Sequence, residues 1–150
     1  MAVVRMDNVG IVVNDMDAAV DFFLAIGLEL EGRGTFEGPW MDRTIAVEGA
    51  RCEIVMLRPP DGHGGVELSR FESPQLVSTE PPNPPVNALG YLRVMFAVDD
   101  LHDVLARMQD RHGATLVGEV VNYEDVYLLC YVRAPEGFMV GLAQSLGEGR

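Results

Sequence analysis

The sequence contains no lysine; all 11 of its basic residues are arginine. That absence removes Schiff-base catalysis, lysine-anchored cofactors and the lysine of a phosphate loop. Positive charge is scarce altogether, with 11 arginines against 23 Asp and Glu, and the net charge of −12 is spread along the chain. Such a surface repels nucleic acid and anionic membranes, so neither is expected as a partner. Cysteine is limited to Cys52 and Cys130. Each lies in an apolar strand-like run outside any CxxC pair, the pattern of a buried thiol and not of a disulfide frame. No apolar run approaches the roughly 18 residues of a membrane span. Met1 to Met6 also lacks a signal peptide's apolar stretch and small-residue cleavage site, so a cytoplasmic location is expected. With four serines, no GxSxG elbow and no histidine placed to activate a serine, acyl transfer by serine is disfavoured. Gly64-Gly65 lacks the strand-to-helix setting of a phosphate cradle.

What the sequence does contain is a duplication. Val9-Gly10-Ile11-Val12-Val13-Asn14-Asp15-Met16-Asp17 matches Val94-Met95-Phe96-Ala97-Val98-Asp99-Asp100-Leu101-His102 at an offset of 85, each an apolar strand running into an acidic turn. Apolar residues then fall at Met16, Ala19, Val20 and Phe23, and at Leu101, Val104, Leu105 and Met108. That i, i+3, i+4, i+7 spacing predicts two helices, each with one buried stripe. Asp15 and Asp100 are placed to cap them, and Gly27 and Gly113 to end them. Further strands are predicted at 29–35, 43–48, 52–58 and 65–70, and again at 115–122, 126–133 and 138–144; periodicity alone leaves open which are whole strands. Glu72 to Asn87 holds five of the nine prolines and reads as an extended connector.

The 150 residues, 48% apolar, suffice for one substantial core. The expected fold is α+β: two tandem βαβββ modules, 1–71 and 90–150, joined by a proline-rich connector, 72–89. A module of this size is small for an independent core. The modules are therefore expected to pack on each other or on those of a second chain, with curved mixed sheets forming a cup, helices outside, and a homodimer as the working unit.

Three segments carry a resemblance to a known family. They are Met6 to Asp15 with Phe22-Phe23 and Gly27-Leu28; Arg93 to Leu101; and Pro135-Glu136-Gly137-Phe138-Met139-Val140-Gly141-Leu142. In order and duplication they resemble the vicinal oxygen chelate superfamily, the fold of glyoxalase I, bleomycin resistance proteins and extradiol dioxygenases. The resemblance covers nearly the whole chain. In metal-dependent members it implies four ligand positions, which fall here on Asn8, Glu67, Arg93 and Gly141. Only Glu67 is an ordinary ligand. A zinc- or iron-type ion wants three or four imidazole, thiolate or carboxylate donors, and a permanent guanidinium cannot ligate a metal. His63 precedes Glu67 in a turn, while His102 and His112 belong to the second helix, so none of them repairs the set. No metal or other cofactor is therefore expected, and the resemblance implies a Glu67–Arg93 ion pair where relatives hold a metal.

Alternation places Asn8, Gly10 and Val12, and likewise Arg93, Met95 and Ala97, on the faces that would line the cup. The candidate ligand-binding residues are Asn8, Trp40, Glu67, Arg93, Met95, Tyr123 and Tyr127, with Glu67 the one candidate catalytic residue. Trp40 and Tyr123 read equally as lids over a flat ligand or as plugs at a sheet edge or dimer seam. Tyr127 and Tyr131 share a strand face, but the sequence leaves open which side that face meets. The leading expectation is a metal-free protein that binds or sequesters an apolar or aromatic small molecule with a polar handle. Its rivals are a lyase, epimerase or dioxygenase using Glu67 as base or unconventional metal ligand, and a non-catalytic structural subunit.

Overall fold

The structure, a computed structural model, describes residues 2–90 and 93–147. It divides into two compact units, Met1–Ser78 and Thr79–Arg150, each built on its own mixed sheet.

In the first unit the elements are β1 (Val9–Val12), α1 (Met16–Ile26), β2 (Glu29–Glu37), α2 (Pro39–Ile45), β3 (Arg51–Arg58) and β4 (Val66–Ser73). The sheet order is β1-β4-β3-β2, with β1 and β4 parallel and the other pairs antiparallel. Asp15 caps α1 by accepting the Ala18 amide at 3.1 Å, and Gly27 ends it at φ 123°, as the sequence predicts. Met16, Ala19, Val20, Phe22, Phe23 and Ile26 are buried along the helix. It packs on β4 of the sheet, where the cross-strand pairs Val55–Leu68 and Leu57–Val66 are fully buried. Alternation therefore leaves the opposite face to Gly10, Val12, Glu67, Ser69, Met56 and Ile54.

One expectation fails here. The stretch 43–48, rich in β-branched residues, is no strand: Gly38 and Pro39 start α2, Pro39 sitting where its missing N–H costs nothing. The helix ends at Ala46, in the left-handed region at φ 58°. Asp42 then holds the following turn by accepting the Gly49 and Ala50 amides at 2.9 and 3.1 Å. Tertiary packing outweighs β propensity, because Met41 is drawn into a small cluster with Ala50 and Cys52, flanked by Val47, Ile54 and Phe71.

On the α1 side, where that helix runs out, the sheet surface is closed by charge. Arg33 bridges Asp17 (3.1 Å) and Glu53 (2.8 Å), Arg70 reaches Glu53 (3.5 Å) and Glu72 (3.4 Å), and Arg51 joins Glu72 (2.6 Å) to Glu37 (2.9 Å). These hydrogen-bonded carboxylates raise the pKa of Arg33 and Arg51 further above its ordinary value.

The second unit comprises β5 (Arg93–Ala97), α3 (Leu101–His112), β6 (Thr115–Leu116), β7 (Val121–Tyr123), β8 (Tyr127–Arg133) and β9 (Met139–Ser145). Its path is β5-β9-β8-β6, with β7 also pairing with β8. Asp100 caps α3 by accepting the Asp103 amide at 3.1 Å, and Gln144 of β9 accepts the Leu101 amide at 2.8 Å, tying the helix start to the sheet. Leu101, Val104, Leu105 and Met108 are buried, as are Cys130, Val132, Val140 and Leu142 of the sheet. The predicted strand 115–122 is broken into β6 and β7: the Val117 amide still donates to the Tyr131 carbonyl of β8 at 3.0 Å, and Gly118 to Val120 lie outside either strand. Arg133 donates to the carbonyls of Gly137 (2.7 Å) and Pro84 (2.9 Å), pinning part of the proline-rich stretch to the β8–β9 turn. Among the described residues no helix is long and apolar enough to cross a membrane.

Both cysteines are buried and unpaired, and loss of solvent raises each thiol's pKa. Because the folded thiols titrate above the ordinary value of about 8.5, the unfolded chain releases its protons first, and folded-state stability falls as pH rises past that value. At pH 8 a thiol reagent is expected to label Cys52 and Cys130 only after denaturant is added. Rapid labelling of the native protein would show that one of them is open. Phe23→Ala, which empties a fully buried ring site in α1, is expected to cost about 3–5 kcal/mol in urea unfolding.

Candidate functional site

In the first unit, Glu67 lies on β4 between Gly10 of β1 and Met56 of β3. Its neighbours Val66 and Leu68 turn to the α1 side and are buried, so the Glu67 carboxylate leaves from the face opposite α1. Within its unit it has no hydrogen-bond or ion-pair partner among the described residues. Gly10 offers no side chain beside it. Asn8, half-buried, immediately precedes β1. Trp40 stands in the first turn of α2, 55% exposed, with its indole folded against Gly38; a Cβ there would lie 3.1 Å from Trp40 Cδ1. Through Met41, α2 covers Cys52, Ile54 and Phe71, which by alternation share the face of Glu67. The structure thus brings Trp40, Asn8 and Glu67 to one side of the first sheet.

In the second unit, Arg93 and Met95 of β5 pair with Met139 and Gly141 of β9, and Gly141 pairs in turn with Tyr131 of β8. Val140, Leu142, Cys130 and Val132 are the buried residues of the opposite parity. Tyr127 and Tyr131 therefore occupy the side away from α3, the side of Arg93 and Met95, which answers the question their alternation leaves open. The Arg93 guanidinium carbon lies 4.7 Å from the centre of the Tyr131 ring, a cation–π contact. Tyr123, the cross-strand partner of Tyr127, joins the same face. It precedes a tight turn in which Glu124 and Asp125 are both left-handed (φ 50° and 58°). Asn122 accepts the Asp125 amide at 2.9 Å and donates to its carboxylate at 3.2 Å. Arg93, Met95, Tyr123 and Tyr127 are thus gathered on one surface, with Tyr131 as a member that residue types alone did not single out.

The residues at the four ligand positions do not fit a zinc- or iron-type ion. Glu67 is a ligand and Asn8 a weak one, but Arg93 is a cation already stacked on a ring. Gly141 has no side chain, and the space above it is taken: a Cβ built there would lie 2.6 Å from Met95 Sδ and 3.3 Å from Tyr131 Cδ1. Among the described residues no group of three or more His, Cys, Asp and Glu side chains is arranged to hold a metal ion. Two open clefts lie elsewhere in the first unit. One, of about 420 Å³, lines the start of α2; the other, of about 530 Å³, lies among Asn14–Asp17, Arg33, Glu53 and Arg70.

Residues 7–131 match the model of the Glyoxalase/Bleomycin resistance protein/Dioxygenase superfamily. The chain belongs to that superfamily. A glyoxalase family protein from Bacillus cereus is 50% identical, with 98% of this chain and 99% of that one aligned at a TM-score of 0.92. An antibiotic binding protein from Streptomyces sp. CB03234 shares the fold at 22% identity, with 97% and 98% covered and a TM-score of 0.60. A glyoxalase I mutant from Zea mays aligns at 15% identity and TM-score 0.62, over 95% of this chain and 48% of that one. No curated protein matches significantly. Against the superfamily's ligand pattern, this member departs most in its second unit, at Arg93 and Gly141.

Gly141→Ala tests how firmly that departure is built. The clashing Met95 atoms are the tip of an unbranched side chain that is 44% exposed. The substitution should displace Met95 at a cost of about 1 kcal/mol or less in urea unfolding. A loss of several kcal/mol would show Met95 locked in place.

Proposed function

We propose that this superfamily member binds a small, flat, largely apolar molecule on the faces of its sheets opposite α1 and α3, and that it does so without a resident metal. The observation that carries the reading is the pair of replacements in the second unit. A guanidinium stacked on Tyr131 and a methionine filling the space over Gly141 stand where metal-dependent members place ligands. Such a surface offers aromatic and thioether contact area with a few polar handles, which suits binding. The antibiotic binding protein that shares the fold lends the reading support of the fold alone. The proposed working unit is a homodimer in the cytoplasm.

A second reading rests on Glu67. Half-buried, without a partner in its own unit and with open space beside Gly10, it is placed to take a proton from a bound substrate. That would be a metal-independent isomerase or lyase. Glu67→Gln separates the two, because it should abolish turnover of a substrate while leaving an apolar ligand bound.

The test of the leading reading is a thermal-shift screen of aromatic natural products and antibiotics, run with and without chelator. A ligand of the native state raises the melting temperature by mass action, and the rise should be the same in both conditions. Trp40, the single tryptophan, gives an independent fluorescence readout. Arg93→His restores an imidazole, so it should raise nickel or zinc affinity by about tenfold or more, as expected for one added ligand. A first-row metal that copurifies stoichiometrically with the wild type and is lost in Glu67→Gln would overturn the proposal.

A further inference from the structure

In a chain with more than two acidic residues per arginine, guanidinium groups find carboxylates readily. Arg5, Arg33, Arg51, Arg58, Arg70 and Arg107 each hold at least one. Arg93 differs. Its partner within its unit is the face of Tyr131, and none of the described residues of that unit gives it a carboxylate. A ring face attracts the cation through its π electrons and does not engage the N–H groups as the paired oxygens of a carboxylate do. The contact thus holds the guanidinium beside Tyr131 without committing its donors to an acid. Arg133 of β8, across Met139 of β9 from Arg93, holds the same end of the sheet firm through its bonds to Gly137 and Pro84.

The surface beyond the fork is suited to a flat molecule. On this face the middle strand β9 places the buried Met139 beside Arg93 and then only the small residues Gly141, Ala143 and Ser145, flanked by Met95 on one side and Tyr127, Leu129 and Tyr131 on the other. A ring laid across the small residues meets a thioether and aromatic rims, and its end meets the Arg93 donors.

Building on the binding reading above, we propose that the ligand carries an anionic group, a carboxylate or an equivalent planar oxyanion, attached to an aromatic or similarly flat body, and that Arg93 backed by Tyr131 selects it. The pairing is a two-point, charge-assisted one, and desolvation by the ligand's own ring strengthens it. The net charge of −12 repels anions at long range, so selection arises from this local contact and moderate salt should not weaken it as it would a surface steered by charge.

Three probes of one shape test the proposal by calorimetry on the intact wild-type protein: 2-naphthoate, its neutral carboxamide and the cationic 2-naphthylmethylamine. The anion should bind tighter than the amide by about tenfold or more, the size of one charge-assisted contact, and the amine weakest. Arg93→Gln should bring anion and amide within about threefold of each other, a difference too small for a surviving charge-assisted pair. Tyr131→Phe, which keeps the ring, should preserve the preference, whereas Tyr131→Leu should reduce it. Equal binding of all three probes, or tightest binding of the amine, would sink the anion assignment and leave the binding reading standing. No binding of any probe would remove both.

Discussion

Each sheet of this chain has a single long helix to bury it, and that one-sided cover governs the rest. With α1 or α3 taking every second residue of the central strands into the core, the alternate residues, apart from Cys52 under α2 and Met139, carry less of the packing. Burial of one aliphatic side chain is worth roughly 1.5–3 kcal/mol, so Val55, Leu57, Val66 and Leu68 fix the orientation of their sheet far more strongly than any polar residue on the other face can. Glu67 is held on the side opposite α1 because Val66 and Leu68 occupy the α1 side. The same logic assigns Arg93 and Tyr131, by way of Val140, Leu142, Cys130 and Val132. The site residues are placed by residues that never touch a ligand.

Where the helix is too short to cover its sheet, the chain uses charge instead of apolar bulk. The ladder from Asp17 through Arg33, Glu53, Arg70, Glu72 and Arg51 to Glu37 lies over the part of the first sheet that α1 does not reach. Its members are largely exposed, and isolated pairs of that kind are worth little; their geometry is shared, each guanidinium spanning two carboxylates. The absence of lysine suits this use, since a planar fork joins two carboxylates as an ammonium does not. The same property, turned toward Tyr131 in place of acids, is what makes Arg93 distinctive.

Much of this was legible in the sequence because it is written in short-range patterns. The helix stripes, the Asp15 and Asp100 caps and the Gly27 and Gly113 stops depend on residues within a few positions of one another, and all were found where spacing placed them. The duplication revealed the fold because two weak patterns agree. What escaped depends on distant partners. Thr44, Ile45 and Val47 look like strand residues until Met41 is seen packed on Cys52. The stacking of Arg93 on Tyr131 requires the β5-β9-β8 register, in which Gly141 sits between Met95 and Tyr131. A sequence supplies the residues of that cluster but not the pairing that assembles them.

That register also explains how residues can change on this face without disturbing the fold. Asn8, Glu67, Arg93 and Gly141 belong to the faces opposite α1 and α3, away from the main packing of each sheet. The Arg93 guanidinium, exposed at the start of β5, is positioned by an electron-rich surface that Tyr131 supplies. Removing the carboxylate at the Gly141 position would leave a gap, unless a flexible side chain fills it; Met95 does so. Arg93 is matched by Tyr131 two strands away and Gly141 by Met95 on the adjacent strand, so that face presents a cation beside a ring and a thioether. The fold accommodates these residues because its stability is invested on the opposite side of the sheet.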